Sequence, residues 1–221
     1  MNENYHLPAR YHWLASSYSF WEYLALGRQL QRCRLAFWPE LVSAQNVLLL
    51  GDGNGRFSTH LLQHIASIQL TSLEVSSAML ASSKKRREKL NISHDRITVI
   101  QENVLNWDCG TRRYDAVVAQ FFFDSFGPDE LSKIAETLRS CLNPGGKLLV
   151  SEFHIPTDTR LGNWRARLTV TLLYSIFRVV TGLKTKHLAA YTPLLRAKGF
   201  VLNKAEYFSQ KSLVSQVFTL E

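Results

Sequence analysis

Three glycines at alternate positions, Gly51, Gly53 and Gly55, follow an aliphatic run at 47–50, and an acid, Glu74, ends the next aliphatic stretch. Glycines so spaced permit a tight turn and let backbone come close to a ligand. An acid after the following strand is where a nucleotide-binding α/β unit accepts hydrogen bonds from ribose hydroxyls. Together these residues predict a nucleoside-containing ligand. The spacing is G-x-G-x-G followed by Arg56, unlike the G-x-G-x-x-G of a dinucleotide turn, and no G-K-[ST] of a phosphate loop follows. A second set consists of groups that can move protons, Asp124, Glu152 and His154. Asp124 follows an aromatic run at the mouth where parallel sheets bind ligands, and it equally suits a turn before Gly127-Pro128. Glu152 and His154 leave the next strand on one face, either as acid/base groups or satisfying backbone and water. No Ser/His/Asp order and no metal-ligand cluster competes with these, so no metal is expected.

The elements that must position these residues alternate along the chain. Residues 47–50 are aliphatic without polar alternation, the pattern of a strand buried on both faces of a parallel sheet. After the glycines, Phe57, Leu61, Leu62 and Ile65 recur at helical spacing. Strands at 70–75, 97–100 and 114–123, a helix at 129–142 and a strand reached through Pro144-Gly145-Gly146 continue the pattern. Aromatic and leucine-rich helices precede the first strand, and a short helix at 187–198 leads to two closing strands whose short link requires an antiparallel hairpin. The expected fold is α/β: a Rossmann-like, seven-stranded, mostly parallel sheet with helices on both faces, an N-terminal helical cap and a closing antiparallel hairpin. One domain is expected over 1–221, with the cap at 1–44, a cofactor-binding core at 45–154 and substrate-side helices and hairpin at 155–221.

Composition narrows the classes. Hydrophobic residues at 46% and charged residues at 20% give a globular balance without a disorder signature. Cys33, Cys109 and Cys141 are too few and too scattered for a disulfide framework or zinc site, and no signal-peptide core opens the chain, so a cytoplasmic home is expected. The longest apolar run, 168–177, falls short of the ~20 residues that span a bilayer, though peripheral membrane contact stays open. The net charge of +8 raises nucleic acid as a partner, but its densest cluster, 84–89, reads as the solvated face of a helix whose Met79, Leu80 and Leu90 turn inward.

The motifs in order, "VLLLGDGNGR", "SLEVSSAML", "VIQENVLNW", "YDAVVAQFFFDSF" and "LRSCLNPGGKLLVSEF", resemble the class I, Rossmann-like S-adenosylmethionine-dependent methyltransferases over most of the chain. The nearest look is of the ubiquinone/menaquinone C-methyltransferases, through "YHWLASSYSF" and "NPGGKLLVSEFHIP", although their glycine-rich closing segment has no match here. The resemblance implies S-adenosylmethionine as cofactor, with Gly51, Gly53 and Gly55 along its methionine part, Glu74 on the ribose, Val75, Asn103 and Val104 around adenine, and Gln120 near the methionine end. Relatives usually carry an acid where this chain has Leu49. Asp52, inside the loop, then holds the cofactor's ammonium group or stabilises the turn. Tyr18 resembles the cofactor-facing tyrosine of relatives. With Tyr11, Trp13, Phe20 and Trp21 of the cap and Phe121, Phe122 and Phe123 it would form a wall for a flat apolar acceptor, or these rings pack cap against core. The implied activity is methyl transfer to nitrogen or carbon of a small, largely apolar, aromatic acceptor, an amine or a quinol-like compound. Nucleic-acid methylation, a non-catalytic cofactor-binding module and an NAD-dependent oxidoreductase are the alternatives, and oligomeric state is open.

Overall fold

The computed structural model describes residues 28–154, 191–209 and 211–221. Tyr11, Trp13, Tyr18, Phe20 and Trp21 of the expected cap and the apolar run at 168–177 lie outside these residues. The described chain begins with α1 (Arg28–Leu35) and a 3₁₀ turn (Trp38–Leu41), then β1 (Asn46–Leu50), α2 (Arg56–His64), β2 (Gln69–Leu73), α3 (Ser77–Lys89) and β3 (Ile97–Ile100). It continues through β4 (Tyr114–Gln120), a 3₁₀ turn (Phe123–Ser125), α4 (Pro128–Cys141), β5 (Leu142–Phe153), α5 (Tyr191–Ala197), β6 (Phe200–Phe208) and β7 (Leu213–Leu220).

The seven strands form one sheet in the order β3-β2-β1-β4-β5-β7-β6. The first five are parallel, β7 is antiparallel to β5, and β6 is antiparallel to β7. The order reverses at β1, between β2 and β4, which is where an open parallel sheet leaves a crevice for a ligand. The closing hairpin forms as its short link requires, and its register slips between Leu202 and Lys204 on β6.

Strand periodicity sorts the core onto the two faces. Leu48, Leu50, Val117, Ala119, Leu148 and Val150 pack with Leu131, Ile134 and Leu138 of α4. The alternate residues Val47, Leu49, Ala116, Val118 and Leu149 pack with Phe57, Leu61 and Leu62 of α2. All four aliphatic residues at 47–50 are at most 2% exposed, as a strand covered on both faces demands.

Two helix ends aim the loops at the crevice. The Ser76 hydroxyl accepts the Met79 N–H at the start of α3, and Glu130 accepts the Gly127 N–H ahead of Pro128 at the start of α4. Within α3 the expectation of an inward apolar face is corrected: Leu90 is 43% exposed, and the buried residues are Ser83 and Arg87. Gly55 lies so close to Ser83 that a Cβ on the glycine would clash with it, and Arg87 Nη1 donates to Ser83 Oγ at 2.6 Å.

Candidate functional site

The glycine turn is built for close approach. Gly51, Gly53 and Gly55 all have left-handed φ values of +62°, +59° and +76°, which L side chains rarely adopt. A Cβ on Gly51 would lie 2.7 Å from the Phe122 ring, and one on Gly55 would fall 2.9 Å from Ser83 Cβ. The turn is tied to β2 twice, by the Gly51 N–H to the Leu73 carbonyl and by the Gly53 N–H to Glu74 Oε2.

Glu74 does more than end a strand. Its Oε2 accepts from Gly53 at 3.1 Å and its Oε1 accepts the Ser76 N–H at 2.9 Å, so one carboxylate joins the glycine turn to the start of α3. Burial raises its pKa, while the bonds from Ser76 and Gly53 favour the charged form. Each oxygen keeps a further lone pair for a ligand hydroxyl.

A cleft of about 60 Å³ opens at the carboxyl ends of β1 and β2. It brings together Gly51, Glu74, Val75, Asn103 and Val104, which the sequence reading had assigned to one ligand, with Leu73, Glu102, Phe122 and Phe126. The Phe122 and Phe126 rings pack with centroids 5.0 Å apart and form its apolar wall. Leu73, Glu102 and Phe126 were missed. Only the spacing of Phe126 four residues after Phe122 signalled that the two rings could meet.

Asp52, Gly53, Gly55 and Gln120 do not line the cleft. Asp52 Oδ1 accepts the Ser58 N–H at 3.2 Å, satisfying a free donor in the first turn of α2, while Oδ2 is shut off from solvent with no partner among the described residues. Burial pushes this carboxyl up to about 6, against the Ser58 bonds and with a smaller push from Glu74. Gln120 Nε2 donates to the Arg34 carbonyl at 2.8 Å, tying β4 to α1. The Asn103 side-chain carbonyl accepts the Leu105 N–H at 3.0 Å, so the oxygen expected at adenine also closes its own turn.

The expectation that Phe121, Phe122 and Phe123 form one wall is corrected. β4 ends at Gln120, and Phe121 takes φ +53°, which turns the chain and sends the three rings apart. Phe121 joins Leu30, Cys33, Phe208 and Leu213 on the α1 side, with Phe153 5.1 Å away and the Arg34 guanidinium 5.0 Å above its ring. Phe122 enters the cleft, whereas Phe123 is 2% exposed in the core beside Tyr191.

The carboxylates lie beneath this turn. Glu152 is 1% exposed, and its Oε1 accepts the N–H groups of Phe122 at 2.9 Å and Phe123 at 2.7 Å. Its Oε2 has no hydrogen-bond partner among the described residues. Burial, with nearby Asp124, raises the Glu152 pKa well above the usual carboxylate value, and burial pushes Asp124 up to about 6. The pair thus favours holding a proton. His154 is directed elsewhere: its ring meets Tyr207 of β6 at 5.1 Å, and burial lowers its pKa, with Lys211 adding to the effect.

Residues 47–146, spanning the glycine turn, the cleft and the start of β5, match a family described as a methyltransferase domain. The match covers a little under half of the chain. The chain is 30% identical over 130 residues to malonyl-[acyl-carrier protein] O-methyltransferase 1 of Ilyobacter polytropus, a match covering 59% of this chain and 46% of that protein. The matched part is thus about half the length of that relative. Among solved structures, the fold superposes on the N-methyltransferase NodS of Bradyrhizobium japonicum in complex with S-adenosyl-L-homocysteine, with a TM-score of 0.61 and 14% identity over 87% of this chain and 84% of that one. It also superposes on an O-methyltransferase family protein from Burkholderia thailandensis, with a TM-score of 0.71 and 14% identity over 98% of this chain and 61% of that one. The architecture is therefore Rossmann-like, with antiparallel strands at one edge of the sheet. No helix among the described residues is long and apolar enough to cross a membrane.

Proposed function

We propose that the protein is an S-adenosylmethionine-dependent methyltransferase that methylates nitrogen or carbon of a small, largely apolar, aromatic acceptor. The observation that carries this reading is the cleft joining Gly51, Glu74, Val75, Asn103 and Val104 at the reversal point of the sheet. The donor set fits the cofactor chemically: a carboxylate for the ribose, backbone and side-chain amides for adenine, and bare glycine backbone for the methionine part. In size the cleft is below the roughly 300 Å³ at which ligand pockets begin, so the Phe122 ring over Gly51 has to turn aside.

Bound S-adenosylmethionine supplies an electrophilic methyl group on sulfonium sulfur. The chain's own contribution is to orient. Glu74 fixes the glycine turn, and the cofactor's ammonium is assigned to Asp52, whose Oδ2 has no partner among the described residues and would have to be uncovered to meet it. Glu152 is a positioning residue that holds the Phe122–Phe123 backbone, and correct placement of acceptor and methyl group accounts for much of the rate. Asp124 and Glu152, sharing a propensity to hold a proton beneath the Phe122–Phe123 turn, are the acid/base candidates. The apolar rings of Phe122 and Phe126 suit an aromatic amine or a quinol-like acceptor, with the cap completing the acceptor side and the core at 45–154 holding the cofactor.

Oxygen is a second acceptor atom, favoured by the likeness to malonyl-[acyl-carrier protein] O-methyltransferase 1. Nucleic-acid methylation has less support, because Arg87 of the basic cluster turns into the fold. The cytoplasm, where S-adenosylmethionine is made, is the compartment this reading requires. The test is calorimetric titration of S-adenosylhomocysteine, with NAD as control, into the wild type and Glu74→Ala. Binding of the former alone, weakened at least tenfold by the substitution, is the expected result. Binding of neither would leave a domain that has lost cofactor use, and binding of NAD alone would make it an oxidoreductase.

A further inference from the structure

A second and larger cavity, about 940 Å³, opens away from the cleft between α1, α2, α3 and the end of β6. Its wall combines two chemistries. Leu30, Leu35 and Phe208 supply apolar surface, while four arginines, Arg28, Arg32, Arg56 and Arg86, reach it from three different helices. Glu206 is the one carboxylate on this wall among the described residues. Arg28, Arg32 and Arg56 form no ion pair among the described residues. Arg86 donates Nε–H to the Asn54 carbonyl at 3.0 Å, which fixes its guanidinium beside the glycine turn. Burial lowers the pKa of Arg86 and the positive charge of nearby Arg56 lowers it further, with Asp52 offsetting part of the effect.

Guanidinium groups match phosphate in shape and charge and bind it through paired hydrogen bonds. The cavity volume falls within the range of small-molecule sites, and a concave wall with an apolar side suits a compact ligand better than a nucleic-acid backbone. We propose that this groove binds a small amphiphilic phosphate ester, with its phosphate among Arg28, Arg32, Arg56 and Arg86 and its apolar body along Leu30, Leu35 and Phe208. The site is separate from the cleft and does not depend on the methyl-transfer reading.

The experiment uses the full chain and octyl phosphate as probe, titrated calorimetrically at low ionic strength. Octyl glucoside, with the same tail and no charge, is the control. Saturable binding of octyl phosphate is expected, at least about tenfold tighter than octyl glucoside and weakened at least about tenfold in Arg28→Gln/Arg32→Gln and in Arg56→Gln. Thermal midpoints and S-adenosylhomocysteine titrations of the same variants report folding and the state of the cleft separately. Phosphatidylglycerol vesicles identify the source of the phosphate. Vesicle binding displaced by octyl phosphate supports a lipid headgroup, and octyl phosphate binding without vesicle binding supports a free ester. The proposal is overturned if the wild type shows no saturable binding of octyl phosphate, if octyl glucoside binds as tightly, or if the folded arginine variants bind octyl phosphate with unchanged affinity.

Discussion

Glu152 offers the sharpest check on how the cleft is held. Its Oε1 accepts two backbone N–H groups, from Phe122 and Phe123, and the Phe123 N–H is buried. Glu152→Ala leaves both donors without this acceptor, and an unsatisfied buried donor costs about 1–3 kcal/mol. Relief from burying a carboxyl offsets part of this, because Glu152 is 1% exposed and its pKa is raised. The expected net loss is about 3 kcal/mol, or roughly 10 °C in thermal midpoint for a chain of this length. Glu152→Gln keeps an acceptor oxygen and resembles the protonated acid, so its stability should lie within about 1 kcal/mol of wild type. Urea unfolding with matched m-values reads both variants. S-adenosylhomocysteine affinity should be nearly unchanged in Glu152→Gln, which keeps the Phe122–Phe123 backbone in place. If the glutamine variant proved as unstable as the alanine variant, acceptance of these two N–H groups would not be what holds the turn.

Four further outcomes follow from the turn and the ring against it. Asp52 titrates near 6 in the folded chain, above its ordinary value, so it is neutral below that pH and anionic above it. If it meets the cofactor's ammonium, S-adenosylhomocysteine binding should strengthen as pH rises through about 6 and lose that dependence in Asp52→Asn; a flat wild-type profile from pH 5 to 7.5 would assign Asp52 to the turn alone. The same raised pKa makes Asp52 favour the fold below pH 4 and lose that contribution as pH climbs to 6, so Asp52→Asn should flatten stability over that window in urea titrations. Gly55→Ala should lower stability by several kcal/mol, because φ is +76° and the added carbon meets Ser83. Replacing Ser83 by Gly as well should recover part of the loss but not the backbone cost, which is about 1–2 kcal/mol. Phe122→Ala clears the ring from Gly51 and should tighten S-adenosylhomocysteine binding; weaker binding would mean that the ring belongs to the ligand's wall.

The residues that announced themselves in the sequence were those whose burial or backbone conformation restricts their type. Residues 47–50 read as a central strand because no polar residue can stand there with both faces covered, and the closing hairpin was legible because its link is too short for a crossover. Gly51 and Glu74 meet at the cleft because each follows the end of a strand, whereas Val104 was assigned there only by the family resemblance. Phe121 escaped because a run of apolar residues after β4 looks like more strand, and its left-handed φ leaves no mark in side-chain type. The hydrogen bond from Gln120 to the Arg34 carbonyl and the meeting of four arginines in one groove join distant parts of the chain, which no local pattern encodes. Arg87 misled for another reason: Ser83 of α3 lies against Gly55, and Arg87 turns inward with it to donate to its hydroxyl.

The slipped register on β6 bears on how these molecules behave in a crowd. An outermost strand with a free row of amides is a template for another chain, and unguarded ones seed aggregates. Here the outermost strand is interrupted at Leu202/Lys204, and its middle is largely exposed and carries Lys204 and Glu206. A second chain attempting to extend the sheet would have to follow an uneven ladder and bury charge. The hairpin that completes the fold thus also terminates it, and replacing Lys204 and Glu206 with valine should turn a self-limiting sheet into a sticky one.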